Sequence, residues 1–401
     1  MCAGMERARR PRRPVIVLGI LLACCSCASA LDPSLDISQY AHTAWKIREG
    51  FSKGRVTSIA QTPDGYLWLG TEFGLLRFDG VRNVLWDQIA GGHLPSSYIR
   101  NLLTARDGRL WIGTYKGLAS WKDGKLTLYP ELAGETVDAL VEDHEGTVWA
   151  GGYAASVGRL CAIQSGSPQC YGDDGRLGLW VASLYEDRHG NLWAGAQTGL
   201  WRWKPGPPKL YPMQYPVIGT SSQTLNETDD GALLLATQDG IRKLVDGKAE
   251  AFLPPGSRPR FQAARLLWDH NGGLWIGTPD RGLLHLHQGR IDGFTQSDGL
   301  SGNYINKLFE DREGNIWVAT LNGLDRFRDF VVPTISLRQG LSNAIVWSVL
   351  AARDGSIWLG TPDGLNRWNN GQITIYRKRG APAGSAGTNQ ERELNVRERS
   401  D

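Results

Sequence analysis

A tryptophan returns along this chain at nearly constant intervals, and that period restricts the fold more than any other feature. The anchor positions are Trp68, Trp111, Trp149, Trp193, Leu234, Trp275, Trp317 and Trp358, with successive spacings of 43, 38, 44, 41, 41, 42 and 41 residues. The surrounding pattern recurs as TPDGYLWLGTEFGLLRF from Thr62, ARDGRLWIGTYKGLASW from Ala105 and RDGSIWLGTPDGLNRW from Arg353. Glycine stands three residues before every anchor, from Gly65 to Gly355. Two residues after it the side chain is always small: Gly70, Gly113, Gly151, Gly195, Ala236, Gly277, Ala319 and Gly360.

Each of these features has a physical meaning. An Asp-Gly or Asn-Gly pair between two β-type stretches predicts a two-residue hairpin turn, because glycine tolerates positive φ. Residues i and i+2 of a strand share a face. The small residue therefore lies beside the indole and leaves room for the ring of a neighbouring unit. Period-two stretches precede the turns, as in Val56-Thr57-Ser58-Ile59, and further strands follow at Leu75–Phe78 and Arg82–Trp86. Four short antiparallel strands in about 42 residues make one blade of a β-propeller. Leucine-rich solenoids need about 20–29 residues per unit and paired-helix repeats need helical periodicity, so neither fits.

The fold class is accordingly all-β, with the indoles packed between blades. About eight repeats allow a seven-bladed ring plus the first blade of a second ring, or one eight-bladed ring. We place the first ring at 40–336, the eighth repeat at 337–376 and a disordered charged tail at 377–401. Copy three is irregular after Gly152, and copy five has Leu234 in place of tryptophan.

The first 30 residues read as a signal peptide, with a basic region at Arg7–Arg13, an apolar run at Val15–Ala23 and a cleavage motif at Ala28-Ser29-Ala30. A rival reading takes Leu21-Leu22-Ala23-Cys24 as a lipobox, leaving a lipid on Cys24. Without residues 1–30 the chain has 39 basic and 40 acidic side chains. No basic stripe is left to follow a phosphate backbone, which argues against nucleic acid as a partner. No later run reaches the roughly 18 apolar residues of a transmembrane helix. Cys161 and Cys170, the two cysteines outside the signal segment, are spaced to close a hairpin with a disulfide in an oxidising compartment.

The repeat core, DG-x-L/I-W-x-G-T-x-x-GL-x-R-F, resembles the two-component regulator propeller repeats of bacterial periplasmic sensors. Tyr40-Ala41-His42-Thr43-Ala44-Trp45 looks like the segment that precedes the first blade in that family. The resemblance runs from about Tyr40 to about Tyr376. It implies an extracytoplasmic ligand sensor that signals to a histidine kinase, a diguanylate cyclase or another output domain through a membrane helix. This sequence contains neither the helix nor the output domain, so we expect a fragment of a longer receptor. The alternative is a stand-alone exported propeller, either an enzyme of the lyase or quinone-dependent type or a platform for protein interaction.

Catalytic chemistry has no candidate here. No G-x-S-x-G elbow, phosphate loop or H-E-x-x-H motif occurs, and no cofactor or metal is expected. Asp229-Asp230-Gly231 occupies a turn slot held elsewhere by Glu145, His189 and Asn271, which favours turn chemistry over calcium. His285 and His287 share a strand face but lack a third ligand. Binding is expected at loops on one end of the ring, those entering the inner strand and those following the Trp strand. The non-repeating aromatics there are Tyr98, Tyr115, Tyr153, Trp180 and Tyr304, which suit a carbohydrate, peptide or other small ligand. A second copy of the chain is a further candidate partner, and movement of propellers against it would carry the signal.

Overall fold

The computed structural model describes residues 35–394, except 90–91, 165–166, 214–223, 254–260, 329–334, 370–371 and 379–390. The signal segment and Cys24 lie outside the described residues. The chain divides into two units, Met1–Asp329 and Phe330–Asp401.

The first unit holds seven four-stranded antiparallel sheets. Blade 1 shows the common order: Val56–Gln61 innermost, then Leu67–Thr71, Gly74–Phe78 and Asn83–Leu85 at the outer edge. The innermost strands of blades 2 to 7 are Ile99–Thr104, Thr136–Glu142, Val181–Glu186, Leu225–Glu227, Arg265–Trp268 and Ile305–Glu310. Each touches the next, and that of blade 7 returns to that of blade 1, so the unit is a closed seven-bladed ring. Ala41–Lys46, which precedes the first blade in the chain, is the outer strand of blade 7 and pairs with Gly323–Arg328. The ring is thus fastened by joining its two ends in one sheet. His42 reinforces the seam through a 2.8 Å contact to the buried Asp325.

The indoles lie between blades, as their spacing implies. Trp68 packs with Ile99, Leu102 and Leu110 of blade 2, Trp275 with Ile305 and Leu308 of blade 7, and Trp317 with Val56 and Ile59 of blade 1. Leu234 fills the same place in blade 5, fully buried against Ala263 and Leu266 of blade 6.

The small residue after each indole has a different partner from the one expected. It does not receive a neighbouring ring. A Cβ on Gly70 would sit 2.6 Å from Ile99 Cγ2, one on Gly113 2.9 Å from Val137 Cγ1, one on Gly151 2.9 Å from Val181 Cγ1 and one on Gly277 2.7 Å from Ile305 Cγ2. The first β-branched residue of the next blade therefore presses on bare backbone. Where blade 5 carries Ala236, the facing residue of blade 6 is reduced to Ala263, so volume is conserved across the contact.

The hairpin turns also differ from the two-residue form. In blade 3 the Asp143 amide donates to Thr147 O and the Gly146 amide to Asp143 O, so three residues form the loop. Gly146 takes the left-handed conformation, φ +83°, that closes such a turn. Ala105 and Ala352 open the same loop in blade 2 and in the eighth repeat, so its form does not depend on the side chain at the turn's first residue. In blade 3 that side chain reinforces it. Asp143 Oδ1 accepts from the Glu145 and Thr147 amides, while Oδ2 accepts from the Trp149 indole at 2.7 Å. Asp187, Asp269 and Asp311 hold Trp193, Trp275 and Trp317 in the same way, each at 2.7 Å. In blade 2 that position is Ala105, and the buried Trp111 indole N–H has no hydrogen-bond partner.

In blade 3 Cys161 and Cys170 stand opposite each other on adjacent strands, Val157–Gln164 and Ser167–Tyr171, and are joined by a disulfide.

The second unit contains the eighth repeat, as strands Ser348–Ala351, Ile357–Thr361, Gly364–Asn369 and Gln372–Lys378. Its anchor, Trp358, is only half-buried, unlike the anchors of the ring. Trp347, Val349 and Leu350 are 72%, 66% and 65% exposed, whereas Ile59, the equivalent of Val349 in blade 1, is 2% exposed. A Cβ on Gly360 would meet only Ser348 of its own sheet. The tail, expected to be disordered, contributes a short strand, Glu391–Leu394, that pairs parallel with Ile375–Lys378. An open sheet edge offers unpaired amides and carbonyls that such a segment satisfies.

Two substitutions test this packing. Gly113→Val should force its branches against Val137 and lower stability by about 1–3 kcal/mol, seen as an earlier urea midpoint. Ala105→Asp should supply the missing acceptor for Trp111 and raise stability by about 1 kcal/mol. A midpoint that fails to rise for Ala105→Asp contradicts the pinning of the indoles by the turns.

Candidate functional site

The five predicted aromatics lie at two equivalent places in the repeat. Tyr98, Trp180 and Tyr304 each stand thirteen residues before an anchor, and Tyr115 and Tyr153 stand four after one. Backbone hydrogen bonds bring the two places to one end of each blade. The amides of Tyr115, Gln197 and Leu321 donate to the carbonyls of Tyr98, Trp180 and Tyr304 at 3.0, 3.1 and 3.2 Å. This end is the mouth of the ring.

The aromatics do not form one cluster. Tyr98 and Tyr115 stack, with centroids 6.1 Å apart and planes at 17°. Tyr153 and Trp180 are half-buried on blades 3 and 4, and Tyr304 is exposed on blade 7. Phe73 of blade 1 adds another exposed ring.

Cations, which the aromatic pattern does not indicate, join the Tyr98–Tyr115 pair. The Tyr98 hydroxyl accepts from Arg100 Nη1 at 3.1 Å and from Arg55 Nη2 at 3.4 Å. Arg55 pairs with Glu72 at 2.9 Å, and Arg100 with the buried Asp138 of blade 3 at 2.6 Å. Burial pushes the Asp138 carboxyl above its ordinary range, and the Arg100 guanidinium pulls it back. Tyr304 is close enough to act on the charges of both Arg55 and Arg265. The sequence did hold a signal for these residues. Eleven residues before the anchor the copies read Thr57, Arg100, Asp138, Ala182, Ala264 and Asn306, while the adjacent position is mostly Val or Ile.

A recess of about 630 Å³ lies elsewhere, lined by Trp149, Tyr171, Trp203 and Lys204 and by none of the five predicted aromatics. Its charges are already paired: Lys204 with Asp143 and Glu145, and Arg176 with Asp174. The mouth is therefore the better candidate for recognition.

The metal readings find structural uses instead. Asp230 accepts hydrogen bonds from Lys243 and Thr228, which hold its carboxyl down at about 2. His285 is buried against Trp275, with ring centroids 4.4 Å apart, and neither ring nitrogen has a hydrogen-bond partner. Among the described residues no group of three or more His, Cys, Asp or Glu side chains is placed to hold a metal.

Burial pushes the His285 pKa down to about 4, below its ordinary value of about 6.5. The unfolded chain then takes up the proton more readily than the folded one, so stability falls as pH drops from about 6.5 towards 4. At pH 5 the histidine should account for a loss of about 2 kcal/mol relative to pH 7. His285→Phe should lose less stability than the parent between those two pH values, measured by urea melts. Equal losses would show that the ring is not held neutral.

Comparison with known proteins agrees with the repeat. Residues 50–73, 93–116, 299–322 and 340–363 match the family described as two component regulator propeller. A search of curated proteins gave no match. Among solved structures, the extracellular domain of the hybrid two component system BT3049 from B. thetaiotaomicron aligns with TM-score 0.63 at 21% identity, over 83% of this chain and 48% of that one. The corresponding domain of BT4673, from the same organism, aligns with TM-score 0.58 at 21% identity, over 84% and 48%. Virginiamycin B lyase from Staphylococcus aureus aligns with TM-score 0.55 at 13% identity, over 73% and 100%. At these identities the likeness is one of fold, and this chain spans about half the length of the two B. thetaiotaomicron domains. The chain is a β-propeller protein carrying two component regulator propeller repeats.

Proposed function

We propose that this chain is the ligand-sensing region of a bacterial signal-transduction receptor, acting outside the cytoplasm and recognising its ligand at the mouth of the seven-bladed ring. The observation that carries the reading is the Tyr98–Tyr115 stack, clamped by Arg55 and Arg100 on two adjacent blades. Flat rings beside fixed guanidinium donors suit the faces and hydroxyls of a saccharide or the backbone of a peptide. The family repeats support a sensor, and the similar extracellular domains support a location beyond the membrane. No helix among the described residues is long and apolar enough to cross a membrane.

The role is binding rather than catalysis, with the response produced in an output domain of a longer receptor. The open apolar face of the eighth sheet favours this longer form. Val349 and Leu350 lie on the inner strand Ser348–Ala351, and their equivalents in blade 1, Ile59 and Ala60, are buried against blades 7 and 2. On this reading the eighth repeat opens a second ring.

The test uses the whole chain and a panel of cell-wall and plant oligosaccharides and short peptides, screened by thermal shift. A variant combining Tyr98→Ala, Tyr115→Ala and Tyr304→Ala should keep its cooperative melt. For any probe that stabilises the parent, its affinity should fall at least about tenfold, the effect of about 1.4 kcal/mol. Undiminished binding by this variant removes the mouth as the site.

A further inference from the structure

Blade 2 departs from the rule that an acceptor in the turn holds the indole. Asp143, Asp187, Asp269 and Asp311 stand six residues before their anchors, and each accepts from the indole nitrogen at 2.7 Å. In blade 1 the Thr62 hydroxyl accepts from Trp68 at 2.8 Å. Blade 2 has Ala105 at this position, while Trp111 is only 6% exposed and its indole N–H has no hydrogen-bond partner among the described residues. The turn itself is unchanged. The Ala105 amide donates to Arg109 O at 2.9 Å and the Gly108 amide to Ala105 O at 2.8 Å, the same two bonds as in blade 3. A methyl group therefore stands where four other blades place a carboxylate, on an equivalent backbone.

A second exchange accompanies the first. Two residues before the anchor, blades 4 and 7 carry Asn191 and Asn315, whose side-chain amides donate to both oxygens of Asp187 and Asp311 at 2.8 to 3.0 Å. Blade 2 has Arg109 there, and no other repeat has a cation at that position. Its guanidinium reaches the residue opposite Trp111 in the sheet, Ser120, but its contacts are long: 3.4 Å to Ser120 Oγ and 3.6 Å to Asp107. A third donor recurs in every copy with an aspartate. The amides of Glu145, His189, Asn271 and Glu313 donate to the turn carboxylate at 3.0 to 3.1 Å, and Asp107 supplies the equivalent amide in blade 2. Ala105, Asp107, Arg109 and Trp111 line one recess of about 560 Å³, shared with Glu142, His144 and Glu145 of blade 3. The acids on its walls are already engaged. Asp107 accepts from Lys122 at 3.2 Å and from the Arg109 amide at 2.9 Å, Glu142 pairs with Arg106 at 3.3 Å, and Glu145 pairs with Lys204 at 3.0 Å. His144 is paired with Glu186 at 2.6 Å.

We propose that blade 2 binds a carboxylate from outside the chain, held by the Trp111 indole, the Arg109 guanidinium and the Asp107 amide. It occupies the place that an aspartate side chain fills in blades 3, 4, 6 and 7. Those four turns show the geometry with the carboxylate present, so the donors of blade 2 form a cradle already shaped for one. An ionised acceptor suits them, because charge-assisted hydrogen bonds are the stronger kind, and a buried N–H left unmatched is costly. A recess of this size takes ligands well beyond acetate, so the acid is either a free small molecule or a group carried on a larger one. The site lies at the end of blade 2 opposite the mouth, since the turn and Tyr115 stand at the two ends of strand Leu110–Thr114. It does not depend on a sensing role.

The test follows the indole N–H resonances of the isotope-labelled full chain by NMR. Sodium acetate or sodium glucuronate replaces sodium chloride at constant ionic strength, and Trp111→Phe identifies the Trp111 signal. The parent should show a saturable shift that is largest at Trp111. Ala105→Asp places a carboxylate in the chain itself, so its Trp111 signal should start displaced towards the bound position and cease to respond. Arg109→Gln should weaken the parent response about tenfold, since it removes a charge-assisted contact. Lys125→Ala, which removes an exposed cation from the outer strand of the same blade, should leave the response unchanged. Arg109→Gln leaves the turn backbone intact and decides the matter if Ala105→Asp melts early. Tighter binding of glucuronate assigns the site to an acid on a larger molecule, and equal or tighter binding of acetate assigns it to a free small acid. The absence of a saturable change at Trp111 with either probe, or a response that persists in folded Ala105→Asp or undiminished in Arg109→Gln, overturns the proposal.

Discussion

The ring depends on one contact repeated around it, a β-branched side chain pressed onto the bare backbone of the preceding blade. Ile99 on Gly70, Val137 on Gly113, Val181 on Gly151 and Ile305 on Gly277 are four instances of it. The contact sets how closely two sheets approach, and the indole beside it fills what remains of the gap. Because packing is dense, added volume on one side must be met by its surroundings: Ala236 packs with Ala263, while Ala319 is accommodated beside Val56. The turn aspartates serve the same contact from further out. By fixing the indole N–H they hold each ring at one depth between the sheets, at Asp143, Asp187, Asp269 and Asp311.

A stack of such sheets has two open faces until its ends meet. Here the ends meet because Ala41–Lys46 joins blade 7, nearly three hundred residues away in sequence. The seam is polar as well as apolar: His42 reaches Asp325, and the Ser301 amide donates to the same carboxylate at 3.0 Å. Closure is what buries the last indole, since Trp317 packs on Val56 and Ile59 of blade 1. The eighth sheet shows the same sequence pattern, and its inner strand is exposed.

Much of this fold was legible in the sequence because repetition averages out local ambiguity. The period gave the blade, the indole positions gave the inter-blade layer, and the spacing of Cys161 and Cys170 placed two thiols opposite each other. Relations between copies were harder to read. The partner of Gly70 is Ile99, in the next repeat, and a pattern within one repeat does not name it. The partner of Ala41–Lys46 lies at the far end of the ring, where no local signal points. The turn was harder to read for a related reason. The Asp-Gly or Asn-Gly pair is visible, but the loop begins two residues before that pair. Where that position is aspartate, it also holds an indole six residues on.

The same logic explains why only part of the mouth was found. Aromatics draw attention individually, so Tyr98, Tyr115, Tyr153, Trp180 and Tyr304 stood out, yet only two of them touch. Arginines are common on surfaces, and Arg55 and Arg100 acquire meaning only when two blades bring them to one hydroxyl. Aligning the copies separates the two demands on the inner strand. One position must stay β-branched or small to meet the next sheet, while its neighbours can vary without disturbing closure. Thr57, Arg100, Asp138, Ala182, Ala264 and Asn306 show that freedom, and so do Ser58, Asn101, Arg265 and Lys307 one residue later. A propeller can therefore place new charge at its centre without touching the contacts that hold it together. In this ring such charges stand on blades 2, 3, 6 and 7, as Arg100, Asp138, Arg265 and Lys307.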